Sequence, residues 1–200
     1  MSISLSQGEA TAIVVRAARG FGLSWGLAEE AGWALCQLGQ YDNDVLSWFG
    51  HAFHATTEQC PITLGVTVMD HAPLPKSVAQ QGGDLGLVRM PILLFPFLRK
   101  SAVRVGHRLI FRETVGDLRI DVTDGLDTHI KQLESITVGH VVIEVGAALN
   151  PNHGLKPKTH RFQTFTDTLT QLDLLGSRTY VPETEASRMS GAGAGASDND

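Results

Sequence analysis

Apolar residues recur every three to four positions over the first sixty residues, and the period changes after that. Ser6-Gln7-Gly8-Glu9 fits a capping box, with a hydroxyl for the free amides of a first turn and a glutamate three residues on. Ile13, Val14, Ala17 and Ala18 follow at helical spacing, so a helix is expected to stop at Gly20 or Gly22, where a left-handed cap costs no side chain. Ser24 opens a second helix that runs to about Leu38 and ends at Gly39, with Leu27, Ala31, Ala34, Leu35 and Leu38 as its buried stripe. A third, from about Asp44 to His54, carries Val45, Leu46, Trp48 and Phe49. Three short-linked amphipathic helices make a small bundle.

From Pro61 onward the pattern reads as strands. Residues 62–69 are rich in Val, Ile and Thr and alternate, which predicts a strand. Pro73, Pro75, Gly82, Gly83 and Gly86 predict a long irregular connection, a length at which loops serve as lids or partner contacts. Residues 91–98 are apolar without alternation and suit a buried strand or a short core segment, although Pro96 speaks against a central strand. Residues 108–113 and 118–122 alternate around Val115-Gly116-Asp117 and predict an antiparallel hairpin. Residues 134–145 predict one strand, or two broken at Gly139-His140. A proline-bearing loop over 150–157, a strand over 160–166, a helix over 168–175 and a last short helix opened by Pro182 complete the chain. The expected class is α+β in one compact domain. It comprises an N-terminal bundle of about three helices (1–60), a mostly antiparallel β-rich part (61–176), and a C-terminal polar segment with short helices and a Gly/Ala tail (177–200).

Composition narrows the function classes. With 42% hydrophobic and 18% charged residues and a mean hydropathy of +0.01, the chain has an ordinary globular make-up. Its net charge of −5 argues against a nucleic-acid protein, which presents a basic field. Two cysteines, Cys36 and Cys60, imply no disulfide framework. The first ten residues lack the basic start and apolar segment of a secretory signal, and the apolar run 91–98 is too short to span a bilayer. A soluble cytoplasmic protein without membrane association is expected.

Three constellations could carry chemistry. In the first, Arg16 and Arg19 share a face near the end of helix one, next to Trp25, Glu29 and Glu30 at the start of helix two. Arg19 either pairs with one glutamate across the helical hairpin or holds an anionic ligand while a glutamate acts as base. The second is the C-terminal stretch. Arg178 suits bidentate capture of a carboxylate, Tyr180 offers a ring with a hydroxyl at its tip, and Glu185 and Arg188 stand at i,i+3. The glycine-alternating run 191–195 lacks the following helix that a dinucleotide site needs, which leaves an anion nest or a plain tail. The third, His51 and His54 with Glu58 and Cys60 nearby, lacks the spacing of a zinc site. No serine-nucleophile elbow, P-loop or Ser-x-x-Lys pair is read from the chain. Arg99, Lys100, Arg104, Arg108 and Arg112 are expected on a solvated hairpin face.

Two of these stretches resemble a known family. Ala18-Arg19-Gly20 followed by Trp25-Gly26-Leu27-Ala28-Glu29-Glu30-Ala31-Gly32 is the first. The second is Arg178-Thr179-Tyr180-Val181-Pro182 with Glu185-Ala186-Ser187-Arg188, the run 191–195 and the acidic end Asp198-Asn199-Asp200. Together they are similar to the signature of a bacterial domain of unknown function, from which Phe21 and Met189 are minor departures. The resemblance supplies emphasis and no mechanism. A tail of that form implies docking, either in this chain's own site or on a partner.

The expected function is therefore a small-molecule metabolic enzyme, or a subunit of one, acting on an anionic carboxylate or amino-acid-like substrate. Its pocket would be formed by the N-terminal helical hairpin and the C-terminal segment. Arg19, Trp25, Arg178 and Arg188 would bind the substrate, Glu30 or Glu185 would move protons, and Tyr180 and Ser187 would supply hydrogen bonds. No metal and no cofactor is called for. The alternative is a non-catalytic accessory subunit whose acidic Gly-rich tail docks into another protein or a second copy of the chain.

Overall fold

A computed structural model describes residues 1–42, 44–54, 60–124, 126–149 and 161–180. The class is α+β, with antiparallel sheets and eight α-helices among the described residues. Strand β1 (Ser2–Leu5) leads into α1 (Gln7–Phe21), whose capping box forms as expected: Ser6 Oγ accepts from Glu9 N at 3.3 Å, and Ser6 N donates to Glu9 at 2.7 Å. Of the two candidate stops, Gly22 takes the left-handed cap at φ 113°. Ser24 caps α2 (Trp25–Leu38), and α3 (Val45–Ala52) follows.

The expected strand over 62–69 is instead helix α4 (Pro61–His71). Its β-branched composition favours a strand, but Pro61 sits at a helix start and Ile62, Gly65, Val68 and Met69 are buried, which is helical spacing. Burial against the core outweighed propensity. Gly65 lies flat on the Phe97 ring, where a β-carbon would collide.

The expected irregular connection contains helix α5 (Val78–Gln81) and edge strand β2 (Gly83–Arg89), bulged between Asp84 and Gly86. Residues 91–98 are no strand. They form a 3-10 turn (Pro91–Leu94) and the start of helix α6 (Phe95–Val105), with Pro96 in its first turn. Arg99, Lys100 and Arg104 therefore stand on a helix rather than a hairpin. Strands β3 (His107–Glu113) and β4 (Leu118–Asp121) form the expected hairpin. Helix α7 (Leu126–Glu134) was not expected, although Leu126, Ile130 and Leu133 recur helically. Strand β5 (Val138–Ala148) runs unbroken through Gly139-His140. Strand β6 (Phe162–Phe165) and helix α8 (Thr166–Ser177) end the described chain. The span 61–176 thus carries five of the eight helices beside its strands.

The larger sheet has the antiparallel order β2-β5-β3-β4. Its inner face buries Val88, Leu109, Phe111, Ile120, Val141 and Ile143. Its outer face carries the ion pairs Arg108–Asp121 at 2.9 Å, Arg112–Glu144 at 3.6 Å and Arg119–Glu144 at 2.8 Å, so Arg108 and Arg112 stand on the solvated face expected of them. A separate ribbon pairs β1 with β6, Ser2 facing Phe165 and Leu5 facing Phe162. Helix α1 packs along both α2 and α8. Gly32 admits the Thr11 and Val15 methyls, and Gly20 admits the backbone of α8 at Leu175.

Candidate functional site

Three helices meet around a cleft of about 630 Å³: the last turn of α1, the end of α3 and one face of α8. Its floor is aromatic. Phe21 stacks on Phe53 with centroids 5.3 Å apart and an interplanar angle of 25°, and Phe53 tilts against Phe49 at 5.9 Å. Along α8, Asp167, Thr170, Gln171, Leu174 and then Arg178 recur at helical spacing, so one stripe lines the wall. Leu174 is 65% exposed, which leaves apolar surface open to a ligand. Arg178 caps α8 with its N–H on the Leu175 carbonyl at 3.1 Å, fixing where its guanidinium begins.

His54 faces the same cleft. Gln171 Nε2 donates to the Gly50 carbonyl at 2.8 Å and also meets His54 Nε2.

A second cleft of about 250 Å³ lies between α2 and α6. Arg99 Nη1 donates to Tyr41 Oη at 3.2 Å, and Lys100 Nζ stands 4.7 Å from the centroid of the Trp33 ring. Burial pushes the Tyr41 phenol above its ordinary range. The Arg99 cation opposes that, and Asp127 adds to it. The hydroxyl stays protonated at neutral pH and accepts from Arg99 while keeping its own proton to donate. None of these four side chains was foreseen as a site residue. The available signal was the helical recurrence of Phe95, Leu98 and Ala102, which turns Arg99 and Lys100 toward α2.

Of the sequence-derived candidates, Arg178 lines the first cleft. Arg19 lines neither; its Nη1 donates to the Leu23 carbonyl at 2.5 Å, and its guanidinium lies 4.7 Å over the Trp25 ring. That is a clasp on the turn between α1 and α2, and no ion pair joins Arg19 to Glu29 or Glu30. Trp25 is 66% exposed beneath it. Glu30 is half-buried, with Oε2 lacking a partner among the described residues. Tyr180 meets helix α1 through Arg16 rather than Arg19, Arg16 Nη1 to Tyr180 Oη being 3.5 Å. Glu185, Ser187 and Arg188, with the tail, lie outside the described residues.

Other chemistries find little support in the geometry. Contrary to the expectation that the chain holds no serine-elbow motif, Gly22-Leu23-Ser24-Trp25-Gly26 has its spacing, but it joins two helices, and Ser24 Oγ accepts from Leu27 N as a helix cap. Among the described residues no three of His, Cys, Asp or Glu converge as metal ligands. Cys60 is buried, which pushes its thiol up, and Cys36 accepts from Gln7 Nε2 at 3.2 Å. No helix among the described residues is long and apolar enough to cross a membrane.

The stretch that clasps α1 to α2 lies within the part of the chain that matches a family model. Residues 5–78 match the family described as "Protein of unknown function (DUF3726)". The match runs from β1 through α4 and includes Arg19, Trp25, Glu29 and Glu30; the C-terminal signature lies beyond it. The resemblance to a domain of unknown function therefore holds over the N-terminal helices. No curated protein and no solved structure matches the chain.

Proposed function

We propose that the chain serves small-molecule metabolism, as an enzyme or a subunit of one, by binding an elongated amino-acid-like carboxylate in the cleft of α1, α3 and α8. The observation that carries this is the ordering of α8. A guanidinium, an apolar wall and a carboxylate follow one another along a single helix face over the Phe21–Phe53 stack. Arg178 offers a planar pair of donors to the ligand's acid. Phe21, Phe53 and Leu174 cover its apolar body. Asp167 stands eleven residues from Arg178, about 16 Å along the axis, with Thr170 and His54 between them in the lining. That span fits about four extended residues, so peptide-like carboxylates bearing an amine or amide at the far end match it better than a free α-amino acid.

Calorimetric titration of the full chain with dipeptides to tetrapeptides and N-acylated amino acids tests the assignment. Losing a charge-assisted contact weakens binding by about tenfold or more, so Arg178→Ala should lose affinity while peptide amides bind poorly to the wild-type chain. Because Arg178 is exposed, the variant should fold. Equal affinity in Arg178→Ala and wild type, or no binding across the panel, would sink the proposal.

A further inference from the structure

The geometry points to a second, independent site: the cleft between α2 and α6 binds a small monocarboxylate with one flat apolar ring. Nothing in the first cleft requires it, and the two share no lining residue.

The cleft has two unlike walls. One is apolar, built from Phe95, Pro96, Val122 and Leu126. The other presents three hydrogen-bond donors of graded kind. Arg99 is steered by its bond to Tyr41 at 3.2 Å, Lys100 lies over Trp33 at 4.7 Å, and Tyr41 keeps a phenolic proton. Arg99 and Lys100 are neighbours on α6 and both line the cleft, although adjacent positions on a helix point about 100° apart. Arg99 reaches it with its head on the Tyr41 hydroxyl, and Lys100 with its head over the Trp33 ring. Long cationic side chains often cover apolar surface in this way with their stems. Both cations line the one cleft, and Asp127 is an acid that raises the Tyr41 phenol.

Size selects among anions. At about 250 Å³ the space falls below the range of drug-sized pockets, and it suits a single six-membered ring with a short acid arm. The flat walls of Trp33, Tyr41 and Phe95 favour a ring over a branched chain. The ring would sit against Phe95 and Leu126, with the carboxylate between Arg99 and Lys100 and the Tyr41 hydroxyl donating to it. Inorganic phosphate would satisfy the cations but leave the apolar wall empty.

Calorimetric titration of the full chain with phenylacetate tests this, with phenylacetamide and inorganic phosphate as controls. Phenylacetate should bind, and phenylacetamide and phosphate should each bind at least about tenfold more weakly. Lys100→Gln should weaken phenylacetate by about tenfold, and Tyr41→Phe by several-fold. Val103→Trp should abolish binding by closing the mouth; Val103 lines the cleft and is 59% exposed, so the fold should tolerate the change. Arg178→Ala should leave phenylacetate binding unchanged, which separates this site from the α8 cleft. Phenylacetamide binding as tightly as phenylacetate, full affinity in Val103→Trp, or loss of affinity in Arg178→Ala would each overturn the assignment.

Discussion

Replacing Gly20 by alanine should destabilise the protein by about 2 kcal/mol, although the same change in an exposed helix would stabilise it. Gly20 lies inside α1, where alanine is favoured by about 1 kcal/mol on propensity alone. Against that gain stands a steric cost. A β-carbon at Gly20 would sit 2.5 Å from the Leu175 carbonyl carbon and would run into its oxygen. Ordinary carbon–carbon contact begins near 3.5 Å, so α1 and α8 would have to part by about 1 Å. The clash is with backbone, so no rotamer relieves it. Val14, Ala17, Leu172 and Leu175, all buried along these two helices, would lose close packing together, and overpacking of this kind costs about 1–3 kcal/mol or more. Urea unfolding followed by circular dichroism measures the difference. Gly8→Ala, on the same helix with nothing within 4 Å of its added carbon, is the matched control and should be neutral or slightly stabilising. A Gly20→Ala protein as stable as the Gly8→Ala protein would refute the reasoning. The same variant should also weaken peptide-like ligands, because Phe21 and Leu175 on either side of that contact line the α8 cleft.

Glu113 is buried at 3% exposure and accepts from Val115 N at 3.0 Å and Gly116 N at 2.6 Å, closing the β3–β4 hairpin. Glu113→Ala should therefore cost about 2–3 kcal/mol in the same unfolding assay. Burial, first, and then the neighbouring Asp42 and Glu134 carboxylates raise the Asp44 carboxyl above its unfolded value, while Ser47 and Thr164 oppose that. A raised carboxyl favours the fold most when protonated, below the unfolded value near 3.9, and that contribution is lost as pH rises through the higher folded value. Asp44→Asn should therefore gain stability over wild type at pH 7 and lose that advantage as pH falls toward 4; a difference constant over that window would contradict the assignment.

What could be read from the sequence was mostly local. The capping box, the left-handed glycine at position 22 and the β3–β4 hairpin each depend on residues within a few positions of one another. Helix α4 was hidden because Ile62, Thr63, Val66, Thr67 and Val68 favour strands by side-chain shape, whereas their burial, set by distant partners such as Phe97, is helical. A β-rich middle places Arg99 and Lys100 on a sheet face, away from Trp33 and Tyr41, whereas helix α6 brings all four to one cleft. Arg178 was identified as a cation able to hold a carboxylate. Its neighbours Phe53, His54 and Asp167 come from elements that no spacing rule joins.

The β1–β6 ribbon sets a timetable for folding. Residues 2–5 find their strand partners only at 162–165, and α1 finds its backbone contact only at Leu175. During synthesis the first helices emerge with one flank uncovered and wait for nearly the whole described chain before it closes. Contacts that close so large a loop slow folding, since chain entropy is lost before they form. In the interval the flank of α1 around Ala17 and Gly20, which meets α8, stays uncovered and open to aggregation.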